Sequence, residues 1–562
     1  MDNKYVIGLD YGTLSGRGVL VRCKDGKVLA SAVKPYEHGE MTESLPCGSK
    51  LPVSWCLEYP RDYTDVMEYV VKEIMKESHI EKEDVIGIGI DFTSCTMLPV
   101  DEKNEPLCEK VEFKKVRNAY VKVWKHHAAQ KQADRINEYL IQKDLMQDYR
   151  FGGKISSELM VPKVMEILEE DPEIYRRADK IVEAGDWLTM LLTGEEKRSC
   201  SMAGYKMWWN NETGYPDKNF FSEITPHLKN FVGEKLKGEV CCIGEKIGTL
   251  TDGWADRLGL NSGIAVSPTV IDSHAGMPGS AIARKGQMMM VLGTSSVLLA
   301  LSDNPFSGKG IMGNVKSGIV PDYYALESGL AAVGDLFGWF IDNMLPAKYV
   351  READEKKVNV YNLLNEKAEK LRPGESGLLA LDWWNGNKTP YVDGNLSGSI
   401  IGMTLKTKPE EIYRALIEAT AFGTRMIKEL FEENGVEIHE IIASGGICEK
   451  NPFVMQIYAD VLGIDIKIAE SDQTAALGSA VYAALAAGKA AGGYDSYEKA
   501  VMNMSSVKEQ EYHAIKSNQE QYNILYQTYC DYNKRMGMDG DRQNVLKRLH
   551  TIKENNCHEK RE

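Results

Sequence analysis

The first hundred residues alternate short apolar runs with glycine-containing turns, which predicts strands from Tyr5 to Asp10, Gly16 to Arg22 and Lys27 to Val33, the last two joined at Asp25-Gly26. Apolar positions recur at helical spacing from Arg61 to Glu77. The run Val85-Ile86-Gly87-Ile88-Gly89-Ile90-Asp91 then lacks polar alternation, the pattern of a strand buried on both faces. Meander, helix and central strand make one α/β unit. From Gln287 the pattern returns. Met288 to Leu292, the Gly293-Thr294 turn and Ser296 to Leu298 repeat the strand, Gly-Thr turn and strand that begin at Ile7, and Ile441 to Gly446 echoes the end of the earlier buried strand. Two related halves are implied, with a boundary near residues 270 to 290. Helices are predicted from Glu410 to Asn434, Pro452 to Leu462 and Thr474 to Ala487; the charged stretch after Asp539 has little periodicity and is expected to fray.

From Val121 to Val240 the chain mixes helix and loop and is rich in aromatic residues, among them Trp124, Trp187, Trp208 and Trp209. That density suits a binding wall or ordinary core packing. A length of 562 residues exceeds what one core supports, so two large domains with a cleft between them are expected. The formal net charge of −15 argues against nucleic-acid or anionic-membrane partners, which need a clustered basic face. The start, MDNKYVIGLDYG, has no apolar leader, and no run approaches the ~18 apolar residues of a membrane span, so a soluble cytoplasmic protein is expected. The eleven cysteines are scattered, with Cys241 and Cys242 adjacent and no C-x-x-C, which points to reduced structural thiols. His126 and His127 lack a third ligand at useful spacing and are read as structural.

The chemistry gathers in the turns. In Asp10-Tyr11-Gly12-Thr13-Leu14-Ser15-Gly16-Arg17, glycine lets backbone N–H groups and the Thr13 and Ser15 hydroxyls converge on an anion, while Asp10 can hold Mg²⁺ through water. A second copy, Gly293-Thr294-Ser295-Ser296, would let two facing hairpins grip one polyphosphate. Gly445-Gly446, ahead of Asn451-Pro452, leaves room for a flat base and ribose to approach the backbone. No G-x-x-x-x-G-K-[ST] and no H-R-D with a following D-F-G occurs, which excludes P-loop and protein-kinase schemes. Val270-Ile271-Asp272-Ser273-His274 ends an apolar run in a carboxylate at the domain junction. Asp272 is there a candidate base for an alcohol attacking a phosphoryl group.

Together, Asp10-Tyr11-Gly12-Thr13, Gly89-Ile90-Asp91, Ile271-Asp272-Ser273-His274, Gly293-Thr294-Ser295 and Ala443-Ser444-Gly445-Gly446-Ile447 resemble the FGGY carbohydrate kinases, from Tyr5 to about Ala490. Segments such as Val123-Trp124-Lys125-His126-His127, Ala203-Gly204-Tyr205-Lys206, Glu327-Ser328-Gly329 and Leu381-Asp382-Trp383-Trp384 are similar to the ribulokinase branch. The resemblance implies an α/β protein of two duplicated actin/Hsp70-like (ribonuclease H-like) ATPase domains flanking a cleft. On that basis residues 1–277 form a sugar-binding domain with a mixed insert at about 121–240, residues 278–540 a nucleotide-binding domain, and 541–562 a charged tail. It implies phosphorylation of a 2-ketopentose, L-ribulose foremost, using ATP and Mg²⁺, with homodimers or homotetramers common among such kinases. Asp272 is then the base and, with Asp10, a metal residue. Gly12, Thr13, Ser15, Arg17, Gly293, Thr294 and Ser295 meet the phosphates, and Gly445, Gly446 and Asn451 wall the nucleotide. Thr96, Trp124, Lys206 and Glu327 surround the sugar. Thr96 and Leu14 depart from the family's usual residues, which leaves xylulose, D-ribulose or glycerol as alternative substrates. An inactive sugar-binding regulator of the same fold is a further alternative, as is a chaperone or filament ATPase.

Overall fold

The computed structural model describes residues 3–146, 148, 153–306, 309–311, 313–538 and 545–558. Strand Tyr5–Tyr11 pairs antiparallel with Ser15–Arg22, which pairs antiparallel with Val28–Pro35. On its other edge Tyr5–Tyr11 lies parallel to the buried strand Val85–Phe92, followed by Ala265–Val266. The second half repeats this order. Gly286–Leu292, Ser296–Ser302 and Tyr324–Ser328 form the meander, and Ile438–Ser444 and Ile466–Ala469 add in parallel. The duplication legible in the two Gly-Thr turns is therefore a duplication of sheet topology. Register carries it further: Asp10 stands opposite Asp91, and Val291 opposite Ser444.

The halves do not keep to themselves. Helix Thr474–Ala491 follows strand Ile466–Ala469 of the second sheet in the chain but packs on the first sheet, joining the core that holds Val6, Ile7, Ile88 and Ile90. Glycine makes this seat. A Cβ on Gly8 would lie 2.0 Å from the Ala476 carbonyl oxygen, and one on Gly89 1.9 Å from that of Ser479. The same helix also crosses Asp272–Gly279 closely, so the two helices form a spine between the sheets. A separate core around Trp383, Tyr413 and Phe422 serves the second sheet and helices Pro409–Glu433, Pro452–Leu462 and Lys516–Gly537.

A third core begins earlier than the aromatic segment, drawing Met41, Trp55 and Met97 together with Trp208, Phe221 and Phe231. Its four-stranded sheet orders Leu57–Glu58, Val121–Lys122, Met97–Val100 and Lys180–Glu183. Trp187 and Trp208 are buried packing residues, so most of the aromatic density serves a core. His126 lies in a buried network in which its Nε2 and the Lys122 ammonium both reach Glu166 Oε2 at 2.7 Å. The charged tail differs from expectation: Val545–His558 is helical, with Leu546 buried in the second core and Lys547 2.6 Å from Asp393. One apolar anchor and one ion pair order a segment whose overall periodicity is weak. Among the described residues no helix is long and apolar enough to cross a membrane, and the cysteines are free thiols.

Candidate active site

Tyr5–Tyr11 delivers Asp10 to its end, and the following turn closes with the Gly12 N–H donating to the Ser15 carbonyl at 3.1 Å. Parallel pairing sets Asp91 beside Asp10. The short strand Val270–Ile271 pairs with Asp91 and Phe92, so the chain next places Asp272 in the first turn of helix Asp272–Gly279. Three carboxylates from distant segments thus meet at the carboxyl end of one sheet, where open α/β sheets collect ligands.

Their environments separate them. Asp91 is fully buried, and burial, reinforced by the Asp10 charge, pushes its carboxyl well above the usual range. Ser479 donates to its Oδ2 at 2.6 Å, while Oδ1 has no partner. Burial also raises Asp10, although Asp91 and Arg17 pull it back. The Arg17 guanidinium stands 3.6 Å from Asp10, long for a strong ion pair. Asp272 is pushed up to about 7 by burial, with Asp10 and Glu327 adding to the effect and the Ser273 N–H and Lys206 opposing it. Its Oδ1 accepts from that Ser273 N–H at 2.6 Å. Half-buried Asp10 and Asp272 offer hard oxygens of the kind Mg²⁺ takes directly or through water, although with Asp91 they do not draw together closely enough to make a ready three-carboxylate site.

Next to this acid group lies a second cluster built from both halves. Lys206 projects from helix Cys200–Met207 and Glu327 from strand Tyr324–Ser328. Burial alone would raise Glu327, but Lys206 and His274 outweigh it and bring it to about 2. Burial opposes the charge on Lys206, and Glu327 overrides that to hold it above the ordinary lysine range. Burial pushes His274 down while Glu327 pulls it back up, and its Nε2 lies 3.1 Å from Glu327 Oε2. Tyr205 fixes the helix, its hydroxyl donating to the Ala325 carbonyl at 2.6 Å and its ring lying edge-on to His274.

Trp124 is half-buried and donates from Nε1 to Thr13 Oγ1 at 3.2 Å, which ties the aromatic wall to the first hairpin. Thr96 is fully buried, with its hydroxyl 2.8 Å from that of Thr93, and is not brought out beside the others. Sequence reasoning missed Lys163. Its buried ammonium donates to the Cys95 carbonyl at 2.6 Å and the Val123 carbonyl at 2.7 Å, clamping together the loops that bear Thr96 and Trp124. A lysine inside an apolar helix, Met160–Glu170, was the available signal.

In the second half, the Gly293 N–H donates to the Ser295 carbonyl at 3.0 Å, leaving Thr294 exposed at the tip. The backbone of Val333, Gly334 and Asp335 donates to the Thr294 and Gly293 carbonyls, bracing this hairpin from beneath. Gly445 packs so closely on this hairpin's strand that a Cβ would lie 2.5 Å from the Leu292 carbonyl oxygen; its φ of 98° demands glycine as well. Gly446 and Asn451 line a cavity of about 410 Å³ with Gly334, Phe337, Tyr361 and Ile447. Gly334, Phe337 and Tyr361 belong to no motif, and only the fold brings them there.

Residues 5–279 match the FGGY family of carbohydrate kinases, N-terminal domain, and residues 288–487 match the C-terminal domain of the same family. The chain belongs to the FGGY family of carbohydrate kinases. Ribulokinase from Bacillus licheniformis is 47% identical over 541 residues, covering 96% of this chain and 98% of the relative. Ribulokinase from Halalkalibacterium halodurans is 46% identical over 554 residues, covering 98% of each chain. Among solved structures, gluconate kinase from Lactobacillus acidophilus superposes with a TM-score of 0.78 at 18% identity, covering 96% of this chain and 99% of that one. A xylulose kinase from the same organism gives 0.78 at 19%, covering 95% and 99%. At that identity the likeness is one of fold, the two-domain actin/Hsp70-like architecture of FGGY kinases.

Proposed function

We propose that this FGGY kinase transfers the γ-phosphate of ATP to the terminal hydroxyl of a 2-ketopentose, L-ribulose, in the cytoplasm, giving L-ribulose 5-phosphate and ADP. The observation that carries the reading is Asp272. This half-buried carboxylate is poised near neutrality, starts a helix between the two sheets and shares its surroundings with Asp10, Lys206 and Glu327. A base of that strength accepts a proton from an alcohol as the oxygen attacks, and the helix N-terminus favours its negative form. Lys206 donates and Glu327 accepts, a complementary pair for the hydroxyls and ketone of the sugar, and Trp124 offers an apolar face to its C–H bonds. The Thr13 and Ser15 hydroxyls meet the phosphates from the first half and those of Thr294 and Ser295 oppose them from the second, each turn being closed by the N–H of its glycine. The cavity at Gly446 and Asn451 takes the base and ribose. A magnesium ion held by Asp10 and Asp272 would supply charge neutralisation for the polyphosphate. Substrate identity is supported by the ribulokinases that share 46 and 47% of their residues with this chain.

Asp272→Asn keeps the shape and removes the base, so turnover should fall by at least ~10²-fold while circular dichroism stays that of the parent. Full turnover in that variant would end the assignment. ADP release measured over L-ribulose, D-ribulose, xylulose and glycerol tests the substrate, and L-ribulose should give the highest kcat/KM.

A further inference from the structure

A cavity of about 310 Å³ is lined from the first half by Lys154, Ser156 and Glu158 and from the second by Asn387, Lys388 and Asp393. It lies beside the sugar cluster, because the hydroxyl of Thr389, next to Lys388, is 2.7 Å from that of Ser328, next to Glu327. Of its four charged residues Asp393 is paired with Lys547 and Lys154 is exposed, which leaves Glu158 and Lys388, opposite in charge and contributed by different halves. Both are half-buried, and among the described residues neither side chain makes a hydrogen bond or ion pair. Partial desolvation of a charge is costly unless something answers it. Each charge is nevertheless near the deep cluster, since Glu158 helps to keep Lys206 charged and Lys388 helps to lower Glu327.

The walls are built to hold these side chains in place. Ahead of Glu158, the Asn137 side chain ladders with Ile155, accepting from its N–H at 2.7 Å and donating to its carbonyl at 2.9 Å. Around Lys388, Asn387 and Asp393 exchange backbone hydrogen bonds at 2.9 and 2.8 Å, and the Asn387 side chain accepts from the Tyr391 N–H at 2.9 Å. Rigid loops presenting to one cavity two charges that lack a direct hydrogen-bond partner mark a place where a polar ligand completes the pairing.

We infer that Glu158 and Lys388 bind the hydroxyl at the end of the sugar remote from the transferred phosphate, one from each half, and thereby set which carbohydrates the kinase accepts. The inference rests on the reading that Asp272 faces the terminal hydroxyl being phosphorylated. An ammonium offers only donors and a carboxylate only acceptors, whereas a hydroxyl does both, so a single hydroxyl can bridge the two. A sugar lacking it would leave both side chains without a hydrogen-bond partner, the situation in which sites built on hydrogen bonds discriminate most strongly.

The test compares L-ribulose with 1-deoxy-L-ribulose, read by ADP release, in the wild-type protein, Glu158→Gln and Lys388→Met. The wild type should prefer ribulose by ~10-fold to ~10²-fold in kcat/KM, and each variant should lose most of that preference through a higher KM for ribulose. Turnover at saturation and the KM for ATP should stay within about twofold, because neither residue touches the reacting atoms, and kcat/KM for the deoxy sugar should fall less than that for ribulose, since each variant also weakens the field at Lys206 and Glu327. A wild type without preference, variants that keep it, or variants that lose equally on both sugars would overturn the inference. If the wild type phosphorylates another sugar and not ribulose, the functional reading fails instead. The same comparison is then made with that sugar and its analogue lacking the remote hydroxyl.

Discussion

The two hairpins are the same object twice, yet their strand ends carry different chemistry. In the first half the register pairs Asp10 with Asp91, and in the second the equivalent positions hold Val291 and Ser444. The turn beyond is closed alike in both halves, Gly12 and Gly293 each donating across it to a following serine carbonyl, although the second turn is one residue shorter. Duplication has therefore preserved the strand, turn and strand while these acids stand in one copy. The half with acids suits proton and metal chemistry. The neutral half suits a nucleotide, whose phosphates would be repelled by carboxylates.

The sharpest way to break this comparison is to remove charge from one copy and polarity from the other. Asp10→Asn should lower turnover by ~10²-fold or more, because electrostatic organisation of the phosphoryl group is lost. Ser444→Ala, at the position equivalent to Asp91, should leave turnover within about threefold; similar losses in both variants would mean that the halves share the work. The glycines differ in the same way. Gly89→Ala drives a Cβ into the Ser479 carbonyl and should cost about 2–3 kcal/mol in urea unfolding, in line with overpacked cores. Gly446→Ala meets nothing within 4 Å, so stability should hold within ~0.5 kcal/mol while the KM for ATP rises as the cavity fills.

A pH profile sharpens the assignment of proton chemistry to the first half. The base works deprotonated, so with Asp272 pushed up to about 7, kcat/KM should fall about tenfold per unit below that value and level off above it. A profile flat from pH 5 to 9 would remove the proton chemistry from Asp272. The smallest effect is expected at the hairpin tips. Loss of one hydrogen-bonding hydroxyl is worth about 1 kcal/mol, roughly fivefold. Thr13→Ala, which unties Trp124, should raise the KM for both sugar and ATP, whereas Thr294→Ala should raise that for ATP alone.

Much of this was legible before the fold was known, and the reason is local. Strand, Gly-Thr turn and strand are specified within a dozen residues, so Asp10, Thr13, Gly293 and Thr294 could be placed from the pattern alone. Asp272 was legible as a carboxylate ending a buried run, although that run is only the two-residue strand Val270–Ile271 and the carboxylate opens a helix. What escaped depends on long-range packing. Lys163 reads as a flaw in an apolar helix until Cys95 and Val123 are seen above it. Phe337 and Tyr361 line the cavity at Gly446 and Asn451 because two helices converge there, which no spacing reports. Thr96 was placed by resemblance to a loop, and its hydroxyl is spent on Thr93 inside that loop. The terminal helix escaped because a single buried leucine carries little periodic signal.

Helix Thr474–Ala491 has a consequence for how the chain matures. The glycine-floored face of the first sheet is covered by residues synthesised some four hundred positions later, so a ribosome-bound nascent chain must carry that apolar surface naked until translation is nearly finished. The N-terminal half is thus an unlikely autonomous fragment and a natural client for chaperones. A late stop codon before Thr474 would disable both halves at once, because it would delete the lid of the first core along with part of the second.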